Sequence, residues 1–123
     1  LEQVDLRLYA IVDPEHTGGH DLVELTRAVA RGGATLVQLR DKVNSTADMI
    51  AEARALKAAL APLGVPLIIN DRVEVARAVE ADGVHLGQED MSVEEARRLL
   101  GPAPFIGLSI RTEAQAAAAP LAI

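Results

Sequence analysis

With 123 residues, half of them apolar, the chain is long enough to bury one core and short for more than one domain. Twelve Lys and Arg against 18 Asp and Glu leave a net charge of -6 with no block of like charge, which argues against nucleic acid or an anionic membrane as a partner. The absence of cysteine removes disulfides, thiolate nucleophiles and zinc-thiolate sites, so oxygen and nitrogen groups must carry any chemistry.

No apolar run approaches the ~20 residues that span a bilayer. The opening segment LEQVDLRLYAIVD lacks a basic region followed by an apolar stretch and a small-residue cleavage site. A cytoplasmic location is the resulting expectation.

In chain order, apolar runs rich in β-branched residues alternate with segments of helical periodicity. Leu6–Val12 reads as a first strand and Asp21–Arg31 as a first helix. Between them His16 and His20 are four apart, but Gly18-Gly19 interrupts any helix, so they read as loop residues rather than a metal pair. Ala34–Leu39 and Ser45–Leu60 form the second pair, Pro66–Ile69 and Arg72–Val79 the third, Gly83–Leu86 and Val93–Leu100 the fourth. Phe105–Leu108 and Glu113–Ala119 complete a fifth, and the apolar triplet Leu121-Ala122-Ile123 after Pro120 reads as an interrupted strand. Ser45 with Asp48 and Ser92 with Glu95 have N-cap spacing, while Gly32-Gly33, Gly64 and Gly101-Pro102 stand where helices should stop.

A regular β-α alternation implies parallel strands joined by right-handed crossovers, either in a barrel or in a doubly wound sheet. Strand faces favour the barrel. In the second strand Val37 and Leu39 share one side, and Leu36, Gln38 and Arg40 the other, which turns polar toward its C-terminal end. In the fifth, Gly107 and Ser109 oppose Ile106 and Leu108, as expected of a crowded interior with helices packed outside. The fold class expected is α/β, a (β/α)₈ TIM barrel of which the first five βα units are present.

Chemistry-bearing residues gather at the C-terminal ends of these strands. Gln38, Arg40 and Lys42, at i, i+2 and i+4, project to one side if the strand stays extended, and two cations at a barrel mouth call for an anionic ligand or nearby acids. The third strand ends in Asn70-Asp71-Arg72, and the fourth runs through His85 into Gly87-Gln88-Glu89-Asp90, bringing a second acid to the same rim. Asp71 and Asp90 also suit helix capping or loop solvation. Together with Gln38, Arg40, Lys42 and Asn70, however, they make a plausible cradle for a diphosphate bridged by Mg²⁺, which takes one or two carboxylates plus ligand oxygens. Ser109 has no evident paired base and reads as a loop hydroxyl rather than a nucleophile. His85, in mid-strand, reads as a hydrogen-bonded core histidine.

The order QLRDK, IINDR, ADGVHLGQED and GLS resembles thiamine phosphate synthase and its TenI-like relatives over most of the chain. The resemblance implies that Gln38, Arg40, Lys42 and Asn70 hold the pyrophosphate of hydroxymethylpyrimidine pyrophosphate. It further implies that Asp71 and Asp90 bind Mg²⁺ and that Ser109 contacts the pyrimidine or its leaving group. The family's reaction joins that substrate to thiazole phosphate and releases pyrophosphate, with Arg40, Lys42 and Ser109 as the expected catalytic side chains. Two departures stand out. Family members often carry a histidine two residues after the serine, where this chain has Arg111, which disfavours the TenI-like thiazole tautomerase alternative. A complete barrel also needs roughly 200 residues or more, so residues 1–123 read as the N-terminal part of a single barrel domain whose last three units are absent. The truncated chain then falls short of a full active site, and a non-catalytic diphosphate-binding fragment is a further alternative. A polypeptide of only these residues is expected to aggregate, or to assemble with its missing half or, as a homo-oligomer, with a second copy.

Overall fold

The computed structural model describes residues 4–120; the interrupted strand expected at 121–123 lies outside them. Five strands, β1 (Tyr9–Val12), β2 (Leu36–Leu39), β3 (Leu67–Asn70), β4 (Gly83–Leu86) and β5 (Phe105–Leu108), form one sheet in the order β1-β2-β3-β4-β5, every pair parallel. Five helices follow them in turn: α1 (Leu22–Arg31), α2 (Thr46–Leu60), α3 (Val73–Val79), α4 (Val93–Leu100) and α5 (Glu113–Ala118). Strand order that follows the sequence has no switch point, which removes the doubly wound alternative and leaves the singly wound, TIM-barrel-like α/β arrangement. The first four helices pack each against the next along one face of the sheet.

That face is the core. Val37, Leu39, Leu67, Ile69, Val84, Leu86 and Ile106 point from the strands into Met49, Ala53, Leu56 and Leu60 of α2 and Val73, Ala76 and Val79 of α3. Alternate strand residues face the other way, as the period of two requires. Helix entries are set by short polar side chains: Ser45 and Ser92 accept from the N–H groups of Asp48 and Glu95, each at 3.2 Å. Asp21 and Thr112 do the same for α1 and α5 without having stood out in the sequence. Each such cap contributes ~1 kcal/mol. Gly33, Gly64 and Gly101 adopt positive φ where the chain leaves a helix. The stop of α3 is Glu80, which takes the left-handed conformation while Lys57 Nζ donates to the carbonyls of Val79 and Glu80. An ammonium at the negative end of the helix offsets the strain of a non-glycine C-cap.

Two differences from the sequence expectation have local causes. β1 begins at Tyr9 rather than Leu6, because the segment before it is pinned by a side chain: Thr35 Oγ1 donates to Asp5 O and accepts from Leu8 N. β2 ends at Leu39, so the extended backbone does not reach Lys42. Asp41 turns the chain there, its carboxylate accepting from the N–H groups of Val43 and Asn44 at 3.0 and 2.9 Å.

Candidate functional site

The inner sheet face carries a polar layer held by strand register. Gln38 pairs with Ile11 and Ile68, Asn70 with His85, and His85 with Gly107. Within it Gln38 Nε2 donates to Tyr9 Oη at 2.9 Å, and Asn70 Nδ2 donates to Gln38 Oε1 at 2.8 Å. Gln38 is therefore buried and engaged at both ends of its amide, a layer below the rim, where it fixes the orientation of Asn70. Burial pushes the Tyr9 phenol above its ordinary pKa despite the Gln38 bond, so it stays a neutral acceptor.

Above this layer the cations and acids meet in pairs. Arg40 Nη1 donates to Asp13 Oδ2 at 2.9 Å across the ends of β2 and β1. Asp13 did not emerge from the sequence as a site residue; it also caps the short turn after β1, accepting from Glu15 N at 2.9 Å. Burial works to raise its pKa, but the Glu15 N–H, Arg40 and His16 outweigh burial and hold it below the usual value. Lys42 Nζ lies 3.8 Å from Asp71 Oδ2, spanning the mouths of β2 and β3. Lys42 reaches this position through the Asp41 turn rather than by strand alternation. Arg72, the cation that ends the third strand's run, is engaged by the neighbouring loop, Nη2 donating to Asn44 O at 2.8 Å. It fastens the loop that carries Lys42.

Asp71 is not a helix cap. The N-cap of α3 is Arg72, with no side-chain bond, while Asp71 itself holds φ 63° and donates its N–H to His85 O at 2.7 Å. A left-handed aspartate that caps nothing is strain spent on aiming its carboxylate. Burial, and then the carboxylate of Asp90 facing it, raise the Asp71 pKa, with Lys42 opposing. Asp90 Oδ2 accepts from Gly87 N at 2.7 Å, and the cap of α4 is Ser92. Two like charges held face to face at a rim suit a shared cation. Among the described residues no group of three or more carboxylates, imidazoles or thiolates could hold a metal on its own. A two-carboxylate site completed by ligand oxygens is the pattern of Mg²⁺.

Ser109 does have a partner: His85 Nε2 lies 2.8 Å from its Oγ. The sequence reading missed this pair, although aligning β4 with β5 would have found it, because Gly107 opposes His85 and Ser109 follows two residues later on the same face. Burial lowers the His85 pKa against the pull of Asp90, so the ring is neutral at physiological pH. Ser109, Asp90 and Arg111 line one cavity of about 350 Å³ at the C-terminal ends of β4 and β5. His16 closes the short helical turn after β1, its Nδ1 3.4 Å from Asp13 Oδ2.

The profile of the thiamine monophosphate synthase family matches residues 8–122. The chain is 52% identical over 117 residues to the thiamine-phosphate synthase of Xanthobacter autotrophicus, an overlap covering 95% of this chain and 56% of the relative. It is 54% identical over 107 residues to that of Albidiferax ferrireducens, covering 87% and 49%. Among solved structures, thiamine phosphate pyrophosphorylase from Pyrococcus furiosus superposes with a TM-score of 0.82 at 36% identity, over 91% of this chain and 54% of that one. The chain spans about half the length of the curated relatives it matches.

Proposed function

Because the chain belongs to the thiamine monophosphate synthase family, we propose that it forms the N-terminal part of a single barrel domain and contributes the pyrophosphate side of a synthase active site. The reaction is the coupling of hydroxymethylpyrimidine pyrophosphate to thiazole phosphate in thiamine biosynthesis, in the cytoplasm. The thiazole nitrogen forms a bond to the pyrimidine methylene carbon as the bond from that carbon to the diphosphate oxygen breaks, and pyrophosphate leaves with the electron pair. A benzylic-like carbon on an electron-rich aminopyrimidine releases diphosphate readily once the departing charge is neutralised, so no protein nucleophile is required.

The observation that carries this reading is the meeting of Lys42 with Asp71 and of Asp71 with Asp90 at one mouth, with Arg40 held by Asp13 where β2 and β1 end. Arg40 and Lys42 would bind the diphosphate oxygens. Arg40 engages Asp13 through Nη1 at 2.9 Å, and its other N–H groups can serve an anion. Asn70, oriented by Gln38, would donate to the same group. Asp71 and Asp90 would hold Mg²⁺, which when bound supplies positive charge against the leaving diphosphate. Ser109 would contact the pyrimidine or the leaving group. The TenI-like tautomerase alternative finds no support at Arg111, where a histidine would be expected.

The test is calorimetric titration of the full chain with pyrophosphate at fixed Mg²⁺. Arg40→Ala and Asp90→Ala should each weaken binding about tenfold, the scale of one lost charge-assisted contact, with circular dichroism unchanged. Titrations indistinguishable from the parent would remove the cradle. Binding without product formation from the two substrates would favour a diphosphate-binding fragment.

A further inference from the structure

The inner face leaves one feature beyond the diphosphate cradle, the packing of an imidazole against a glycine. A Cβ at Gly107 would lie 2.5 Å from His85 Nδ1 and 3.3 Å from Cε1, so residue 107 must be glycine for the ring to occupy its place. The ring so admitted is half-buried and has Ser109 as its side-chain partner, at 2.8 Å through Nε2. Ser109 in turn opens on the cavity that Asp90 lines. Its hydroxyl has one proton and can both donate and accept. A diphosphate can only accept, so a serine that serves it must spend its proton there and take its other bond as an acceptor. The imidazole supplies that bond only if Nε2, 2.8 Å from the hydroxyl, carries a proton.

We propose that His85 is a positioning residue, donating from Nε2 to Ser109 Oγ and so aiming the serine proton at an oxygen of the leaving diphosphate, with Gly107 as the clearance that lets it do so. This rests on the diphosphate reading of the preceding section. No proton is transferred to or from the ring: the serine hydrogen bond strengthens as negative charge develops on the leaving oxygen, and the imidazole keeps the hydroxyl from turning away.

The direct test is nuclear magnetic resonance of the full chain labelled with ¹⁵N at histidine, where the two-bond ring correlations report which nitrogen carries the proton. His85 should show the Nε2–H pattern, and Ser109→Ala should shift the Nε2 resonance. In steady-state assays of the complete barrel, of which this chain is the proposed N-terminal part, His85→Ala should lower kcat about tenfold with KM within about twofold, because one directed hydrogen bond in the transition state is lost. His85→Gln, whose amide can donate at the same place, should recover most of the rate. The His85→Ala, Ser109→Ala double variant should be no slower than Ser109→Ala alone. An Nδ1–H ring, losses that multiply, or a His85→Ala enzyme as fast as its active parent would each overturn the inference and leave the synthase reading standing. A parent chain that binds no magnesium pyrophosphate takes down that reading, and the inference with it.

Discussion

Glu52 is the side chain whose ionisation is most out of place, and neutralising it should stabilise the protein in alkaline solution. It projects from α2 beneath the loop that carries Lys42, with Oε2 3.3 Å from Asn44 Nδ2 and Oε1 buried without a partner. Burial, the Asp41 carboxylate and Asp13 raise its pKa from 4.5 to about 7, with Asn44 opposing. Asp41, held low by the Asn44 and Val43 N–H groups against its own burial, keeps its charge, so Glu52 is the member of the pair that takes the proton. Between pH 4.5 and about 7 the folded chain binds a proton that the unfolded chain has lost. Stability attributable to Glu52 therefore falls as pH rises through that window, and the cost is fully developed above it.

Taken whole, a shift of this size would correspond to about 3 kcal/mol, but Glu52 is only partly buried and solvent screening reduces the expected cost to about 1 kcal/mol. Glu52→Gln keeps the shape and can still donate to Asp41. Urea unfolding of the parent and Glu52→Gln at pH 5 and pH 8 should find the variant about 1 kcal/mol more stable at pH 8, with most of that difference gone at pH 5. A variant less stable than the parent at pH 8, or a gain equal at both pH values, would refute the reasoning.

Two further expectations concern the barrel itself. At Gly83 a Cβ would lie 2.5 Å from Phe105 O, a backbone atom fixed by the β4–β5 pairing, and 2.8 Å from Ile68 Cδ1. Gly83→Ala should thus cost up to about 3 kcal/mol, the upper range of overpacking, measured as a loss in urea midpoint, and an unchanged midpoint would contradict the register. Separately, a polypeptide of residues 1–123 alone should self-associate. Among the described residues its outer strands β1 and β5 each have one neighbour, and Leu6, Leu8, Ile11 and Ile110 are 65, 52, 59 and 43% exposed. A concentration-independent monomer in analytical ultracentrifugation, with one cooperative thermal transition, would count against this.

What could be read in the sequence follows the range over which each feature is determined. Helix and strand limits depend on periodicity and on caps within four residues, so Ser45, Ser92 and Gly64 marked them correctly. The barrel rather than the open sheet followed from the alternation in β2 and β5, because a polar residue such as Gln38 between Val37 and Leu39 makes sense only on an inner face. Partnerships across strands were another matter. Arg40 with Asp13, Gln38 with Tyr9, and His85 with Ser109 join residues 27, 29 and 24 positions apart, and each depends on a parallel register that no single strand specifies. Lys42 was assigned to the mouth by an extended-strand argument that the Asp41 turn replaces. That turn leaves Lys42 Nζ 3.8 Å from Asp71 Oδ2.

That substitution of one local cause for another explains how the rim is built. Below it, Tyr9, Gln38 and Asn70 are locked by register and hydrogen bonds into an arrangement that a ligand has no means of changing cheaply. At the rim each cation has an acid partner of a different kind. Asp13 is 7% exposed and holds Arg40 by one guanidinium nitrogen, which sets its direction and leaves other donors for an anion. Lys42 and Asp71 are half-exposed and 3.8 Å apart, too long for a firm hydrogen bond, and Asp71 faces Asp90 as well. A complex of diphosphate with a divalent cation would offer each what it lacks, anionic oxygens for Lys42 and positive charge for the two carboxylates. On the proposed reading the site would bind by exchanging weak pairs for stronger ones, with the Arg40–Asp13 pair as the frame against which that exchange occurs.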